Sequence, residues 1–436
     1  MIPVLRARFN RQFSESGYSN LLALLEHRCG APVEFRVAET PIFVEPDLLS
    51  GLASHGANLA DAIMRNAPCI EAARKAIPPG YLVANENAHP NFLTADFALI
   101  RNAASALVPR LVEIQAFPSV YGYQTELCSA YSDAYGLDSG LDSGLGVYLG
   151  GLDHLGFWQL LEKTILNGHN PENVVLTELD PTNQKTLPDF LVTARRLGIA
   201  VVDIRSLVPS GNRLYYRNAG GTLTPIHRIY NRAIADELIA KQVELPFDLE
   251  REWQVEWAGH PNWYFLISKF SIPWLNSPIV PPAVFLDDFL DGAGKSRLAA
   301  AGVHLPPENG PKTTYDQLLL KPLFSFAGKG IEFAPSRQRL ESVEPANRAN
   351  YLLQQKMSFE PTIETPYGLT QAEIRILYVW PDNGELTPAL SLVRLGRGKM
   401  MGVDHNRDLR WVGASAAFFP AGLPFDARHT PASANH

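Results

Sequence analysis

The feature that most narrows what this chain can fold into is a change of rhythm partway along it. From residue 151 to about 246, helix-patterned stretches alternate with short apolar runs: FWQLLEKTILNG, NVVLTELD, TLPDFLVTARRLG, IAVVDI and IHRIYNR. Parallel strands need a long crossover between them, so this alternation predicts a parallel α/β sheet. From QLLLKPL onward the rhythm becomes strand after strand with short turns: LLLKPL, IEFA, YLLQQKM, EIRILYVW, LSLVRLG and SAAFFP. Few helices fit between these runs, which predicts an antiparallel sheet and an α+β region joined to the α/β one.

The remaining segments complete a division into five. Residues 1–92 carry apolar positions at helical spacing (LLALLEHR, LLSGLASHGANLADAIMRNA) and read as a helical N-terminal region. Residues 93–150 open with a strand pair, TADFALIRN and PRLVEIQAF, and contain the repeat YGLDSGLDSGLG. That repeat reads as a surface loop, because the ligand spacing of a calcium-binding hand is missing. The α/β segment is 151–246, the antiparallel region falls in 247–420, and the polar tail 421–436 reads as disordered.

Composition excludes several classes. Lys and Arg number 38 against 45 Asp and Glu, a formal charge of −7, whereas nucleic-acid binders carry a basic surplus. We therefore expect no nucleic-acid partner. The three cysteines, Cys29, Cys69 and Cys128, form no CxxC pair, so neither a disulfide framework nor a cysteine-rich zinc site is expected. The N-terminus lacks the apolar core of a signal peptide, and no uncharged apolar stretch nears 20 residues. The expectation is a cytoplasmic protein without membrane partners.

The sharpest local signal is LLLKPLFSFAGKGI. A buried strand delivers Lys321 into a loop holding Gly328, Lys329 and Gly330, a pattern that suits a polyphosphate. It is not a Walker A loop, since the GxxxxGK[ST] spacing fails. The competing reading is a hairpin loop with a solvated lysine. In LVEIQAF, strand alternation puts Glu113 and Gln115 on one face, with Asp96 on the preceding strand in reach. Hard oxygen ligands of this kind suit Mg²⁺, and a solvent-facing polar stripe is the alternative. AEIRILYVW sets Glu373 and Arg375 on one face, and SLVRLGRGK adds Arg394 and Arg397, either to grip a carboxylate or phosphate or to form structural ion pairs. LGRGKMMG fails the dinucleotide spacing, and neither a serine-hydrolase elbow nor a zincin motif occurs. Among the scattered histidines, His227 and His405 read as structural.

In order, these segments resemble the circularly permuted ATP-grasp proteins, the group of eukaryotic-type glutathione synthetase and glutathionylspermidine synthetase. The resemblance spans about residues 40–420. LVEIQAF is similar to that group's E-x-N strand, with Gln115 in place of Asn, and Asp96–Phe97 to the D-F strand before it. LISKFSIP is similar to an S-x-K-like segment, pointing to Lys269. Lys321 and the loop Ser325 to Gly330 resemble the K-P strand and glycine loop. YLLQQKM (Gln354, Gln355, Met357) resembles the hinge that holds adenine through backbone groups. Glu373 falls on the nucleotide-side glutamate, Arg394 on the substrate-carboxylate arginine, and Arg232 lies toward the substrate side.

The resemblance implies ATP and Mg²⁺ as cofactors and a carboxylate–amine ligase working through an acylphosphate on a small peptide- or amino-acid-like substrate. It implies that Lys269 and Lys321 hold phosphates, that Asp96, Glu113 and Gln115 hold metal, and that Arg394 meets the acylphosphate or substrate carboxylate. Relatives often dimerise, which admits a homodimer. Two positions depart from the family: Gln115 replaces Asn, and Ser325 stands where a metal-binding Glu is expected. One Mg²⁺ then suffices, or a residue such as Glu332 substitutes, or the chain is a catalytically degenerate nucleotide-binding or scaffold protein.

Overall fold

A computed structural model describes residues 1–137, 144–307, 310, 313–325, 328–398, 400–402, 406 and 408–421. Most of the LDSGLDSG repeat, Phe326 and Ala327 of the glycine loop, His405 and the tail from residue 422 lie outside the described residues.

The N-terminal region is helical, as its periodicity predicts: Pro3–Gln12, Glu15–Cys29, Pro46–Met64 and Ala67–Lys75. Ser14 caps the second helix by accepting the Gly17 N–H at 3.1 Å, and Gly30 closes it in the left-handed conformation. Pro46–Met64 buries Leu49, Leu52, Ala53, Gly56, Leu59, Ala60 and Ile63, a continuous stripe at 3.6-residue spacing.

That stripe lies on the central sheet. Its strands run Gly413–Ser415, Thr387–Gly396, Gly368–Val379, Phe92–Arg101 and Leu107–Gln115, with Pro361–Thr365 also paired to Gly368–Val379; all pairings are antiparallel. Alternation divides each strand between two faces. Leu93, Ala95, Phe97, Leu99, Ile374, Ile376 and Tyr378 share a core with the Pro46–Met64 helix. Each such large apolar side chain contributes about 1.5–3 kcal/mol by leaving water. On the opposite face Phe92, Leu377 and Val379 share a second core with the helix Tyr121–Tyr135, while Asp96, Glu373 and Arg375 fill the other end.

The parallel sheet of the α/β segment is present, in the order Glu256–Ala258, Arg228–Asn231, Val174–Glu178, Ala200–Asp203. Its fourth strand lies past residue 246. A three-stranded meander, Val208–Ser210, Arg213–Arg217 and Leu223–Pro225, sits between two of its strands in sequence and was not expected. A small antiparallel sheet, Ala283–Phe285, Tyr351–Gln355, Leu318–Pro322 and Glu332–Phe333, completes the C-terminal part. One face of it, with Val284, Leu318, Leu320 and Leu353, packs on its own helices. The other carries Lys321, Leu352 and Gln354 (Leu352 joins the core of the central sheet). Among the described residues no helix is long and apolar enough to cross a membrane.

Candidate functional site

The charged end of the central sheet is assembled by register. Asp96 stands directly opposite Arg375 on one side and Glu113 on the other, and Glu373 stands opposite Arg394. Cross-strand neighbours lie within about 5 Å, so these five side chains have to interact. Asp96 is buried and forked by Arg375, with Oδ1 accepting from Nε at 2.5 Å and Oδ2 from Nη2 at 2.6 Å. Arg394 Nη1 reaches the same Oδ2 at 3.0 Å and also pairs with Glu373. Arg375 Nη1 donates to Ser119 Oγ at 3.2 Å, and its Nη2 lies 3.6 Å from Glu113.

Two lysines close the cluster. Lys269 opens the short helix Lys269–Trp274, held against the sheet because the Ala116 N–H donates to the Ile267 carbonyl at 2.9 Å. Its ammonium lies 3.7 Å from Glu113 and donates to the Ser325 carbonyl. Lys321 comes from the small sheet, with its ammonium 3.5 Å from the Val112 carbonyl. Both lysines are buried.

Burial and charge pull these groups in different directions. Burial alone would raise Asp96, but the Arg375 and Arg394 guanidiniums hold it below the usual carboxylate range. Burial dominates at Glu373 and raises it despite Arg394, with the like charge of Asp96 adding to the rise. Arg394 stays protonated against burial because Asp96 and Glu373 flank it. Burial lowers Lys321 to about 8, helped by Lys269 and opposed by Glu113.

Three carboxylates, Asp96, Glu113 and Glu373, thus face four cations, Lys269, Lys321, Arg375 and Arg394. A surplus of buried positive charge suits an anion with several oxygens. Polar atoms without a partner among the described residues fit the same reading: Ser325 Oγ and both amide atoms of the fully buried Gln354, which shares a sheet face with Lys321. Buried polar atoms are seldom left without partners, and a nucleotide's phosphates and base would supply them. Mg²⁺ is another matter. Both Asp96 oxygens accept from guanidiniums, Glu113 lies between Lys269 and Arg375, and no group of three or more His, Cys, Asp or Glu able to hold a metal occurs among the described residues. As built, these carboxylates do not fit a hard dication.

The structure thus brings Asp96, Glu113, Glu373, Arg394, Lys269, Lys321 and Ser325 together. Gln115 follows Glu113 on the same face, opposite Thr94. Gly328 and Gly330 take left-handed conformations, and a Cβ at Gly328 would lie 2.3 Å from the Met400 methyl. Lys329 is exposed. In the hinge, the Gln355 and Lys356 N–H groups already donate to Pro282 and Gln317, and Met357 is partly exposed. Arg397 donates to Thr370 and the Arg410 carbonyl, and Glu332 is bound by Arg339, so both act structurally.

Arg232 stands apart, at the carboxyl end of its parallel strand, buried and paired with Asp189. The buried Tyr121 hydroxyl donates to the Tyr378 carbonyl at 2.7 Å, and burial raises it well above its ordinary value despite the nearby charges of Arg375 and Arg232. Sequence reasoning missed Ser119, which stands in a loop without a motif, and the pairing of Arg375 with Asp96. Two cavities lie elsewhere. One of about 160 Å³ sits among the N-terminal helices and the Tyr121–Tyr135 helix. The other, about 720 Å³, is at the amino ends of the parallel strands, lined by His169, His227 and Glu256 among others. Neither is lined by any residue of the charged cluster.

No protein-family model matches the chain, and no curated protein matches it. Among solved structures, a glutathione synthetase-like effector from Globodera pallida, solved in its apo form, shares the fold. It is 10% identical, with 96% of this chain and 98% of that one covered and a TM-score of 0.54. A gamma-glutamylcysteine synthetase-like protein from Methylobacillus flagellatus is 14% identical over 82% of this chain and 85% of that one, at a TM-score of 0.36, too low to argue from.

Proposed function

We propose that this chain is an ATP-dependent carboxylate–amine ligase on a circularly permuted ATP-grasp scaffold, acting on a small peptide- or amino-acid-like substrate. The observation that carries the reading is the surplus of buried cations between two antiparallel sheets, with Lys269 and Lys321 reaching it from separate elements. The fold shared with the glutathione synthetase-like effector supports it.

Bound there, ATP would supply a phosphoryl group to a substrate carboxylate, making an acylphosphate that an amine takes with loss of phosphate. The chain's own work is to position and to neutralise charge. Lys269 and Lys321 bind phosphate oxygens, Ser325 Oγ donates to one of them, and the Gln354 amide pairs with the base. Arg394, fixed by Asp96 and Glu373, turns its remaining donors to the substrate carboxylate. Arg232 lies on the side from which the substrate enters.

A second reading, nucleotide binding without turnover, is favoured by the closed ion pairs around Asp96 and by Ser325. Calorimetric titration of ATP tests the common part. Wild type should bind, and Lys269→Ala should weaken binding by about tenfold or more, the scale of one lost charged contact. Absence of ATP binding by wild type overturns both readings. Phosphate release on adding a panel of acids and amines decides between them.

A further inference from the structure

We propose that Arg375 is a built-in cation standing where a divalent metal would otherwise bind, so that the charged cluster receives a phosphate-bearing ligand without Mg²⁺. The metal half stands on geometry alone; the anion half rests on reading the cluster as the phosphate site.

The geometry is that of substitution. The residues best suited to a hard cation are Asp96 and Glu113, opposite one another on adjacent strands. The Arg375 guanidinium occupies the position between them, forking both oxygens of Asp96 and lying 3.6 Å from Glu113. Its third nitrogen is fixed by Ser119 at 3.2 Å, so the group is held on three sides. Arg394 takes the remaining approach to Asp96. A metal entering here would have to displace a bidentate, buried ion pair and leave an arginine without its partner. An incoming phosphate meets Lys269, Lys321 and Arg394 around carboxylates already neutralised.

Mn²⁺ read by electron paramagnetic resonance, in place of Mg²⁺ and without nucleotide, tests the first half. Wild type should bind no Mn²⁺ that Glu113→Gln removes; Mn²⁺ bound to wild type and lost in Glu113→Gln overturns the proposal. Arg375→Ala should gain a bound Mn²⁺ that the further change Asp96→Asn abolishes. A folded Arg375→Ala that binds none overturns the assignment to Arg375. If Arg375→Ala does not fold, the wild-type comparison with Glu113→Gln still decides.

Titration of ATP and of inorganic tripolyphosphate, in chelator and in excess Mg²⁺, tests the second half. Wild-type affinity should agree within about twofold between the two conditions, because the charge a metal would supply is already present. Tightening by Mg²⁺ of about tenfold or more overturns that half. Failure of both ligands to bind in either condition overturns the phosphate-site reading and the anion half with it. The Mn²⁺ result stands independently of it.

Discussion

Lys321→Met separates what the cluster contributes to stability from what it contributes to binding. Lys321 is buried, and burial holds its ammonium at about 8 against an ordinary 10.5. Below about pH 8 the folded chain must keep it charged, at a cost of roughly 3 kcal/mol, since each tenfold loss of proton affinity is worth about 1.4 kcal/mol. Between about 8 and 10.5 the unfolded chain binds the extra proton, so wild-type stability rises with pH through that window. Methionine matches the unbranched stem and carries no charge. Its removal of the surplus cation still leaves Lys269, Arg375 and Arg394 for the three carboxylates. Lys321→Met should therefore be the more stable protein by about 3 kcal/mol below pH 8, with the advantage shrinking above it. Urea unfolding followed by tryptophan fluorescence, one unit below, at and one unit above about pH 8, measures this. ATP binding should vanish in the same variant. A variant less stable than wild type at the lowest pH, or an advantage that ignores pH, would refute the reasoning.

Two further predictions concern the scaffold. Burial raises Glu178, at the end of a parallel strand, from 4.5 to about 8, so the folded state holds a proton that the unfolded state sheds, and wild-type stability falls as pH rises across that window. Glu178→Gln keeps an acceptor for the Leu179 N–H and should flatten the dependence, gaining about 4–5 kcal/mol above pH 8; superimposable melting-against-pH curves would contradict this. A Cβ at Gly56 would lie 2.1 Å from the Tyr378 hydroxyl, which donates to the Ala53 carbonyl at 2.8 Å. Gly56→Ala should lose about 1–3 kcal/mol to overpacking, more than the ~1 kcal/mol of helix propensity it gains, and an unchanged or raised melting temperature would count against that.

What the sequence made legible was local. Alternation over two residues sufficed to put Glu113 beside Gln115 and Glu373 beside Arg375, and the apolar run ending in Lys321 marked the strand that carries it, whereas the burial of the lysine itself came from the structure. The helix–strand rhythm of 151–246 gave the parallel sheet, because crossovers leave that pattern whatever the side chains do. The helix Tyr121–Tyr135 was hidden by its aromatic content (YGYQTELCSAYSDAY), which tertiary packing overrides. Nothing local says that Asp96 pairs with Arg375 across 279 positions, and only that pairing turns separate charged residues into one cluster. The amide of Gln354, without a partner among the described residues, is equally invisible, since satisfaction of a polar group is a property of its surroundings.

The same separation has a consequence in time. The strand Phe92–Arg101 can pair at once with Leu107–Gln115, but its other neighbour is Gly368–Val379. At the pace of synthesis, about 5–20 residues per second, the 279 positions between Asp96 and Arg375 correspond to roughly 14–56 s. For that interval one side of a strand with an apolar face lies open on the ribosome, an invitation to pair with a neighbouring chain. Newborn copies of this protein are therefore most open to mispairing until Gly368–Val379 has emerged and closed that side.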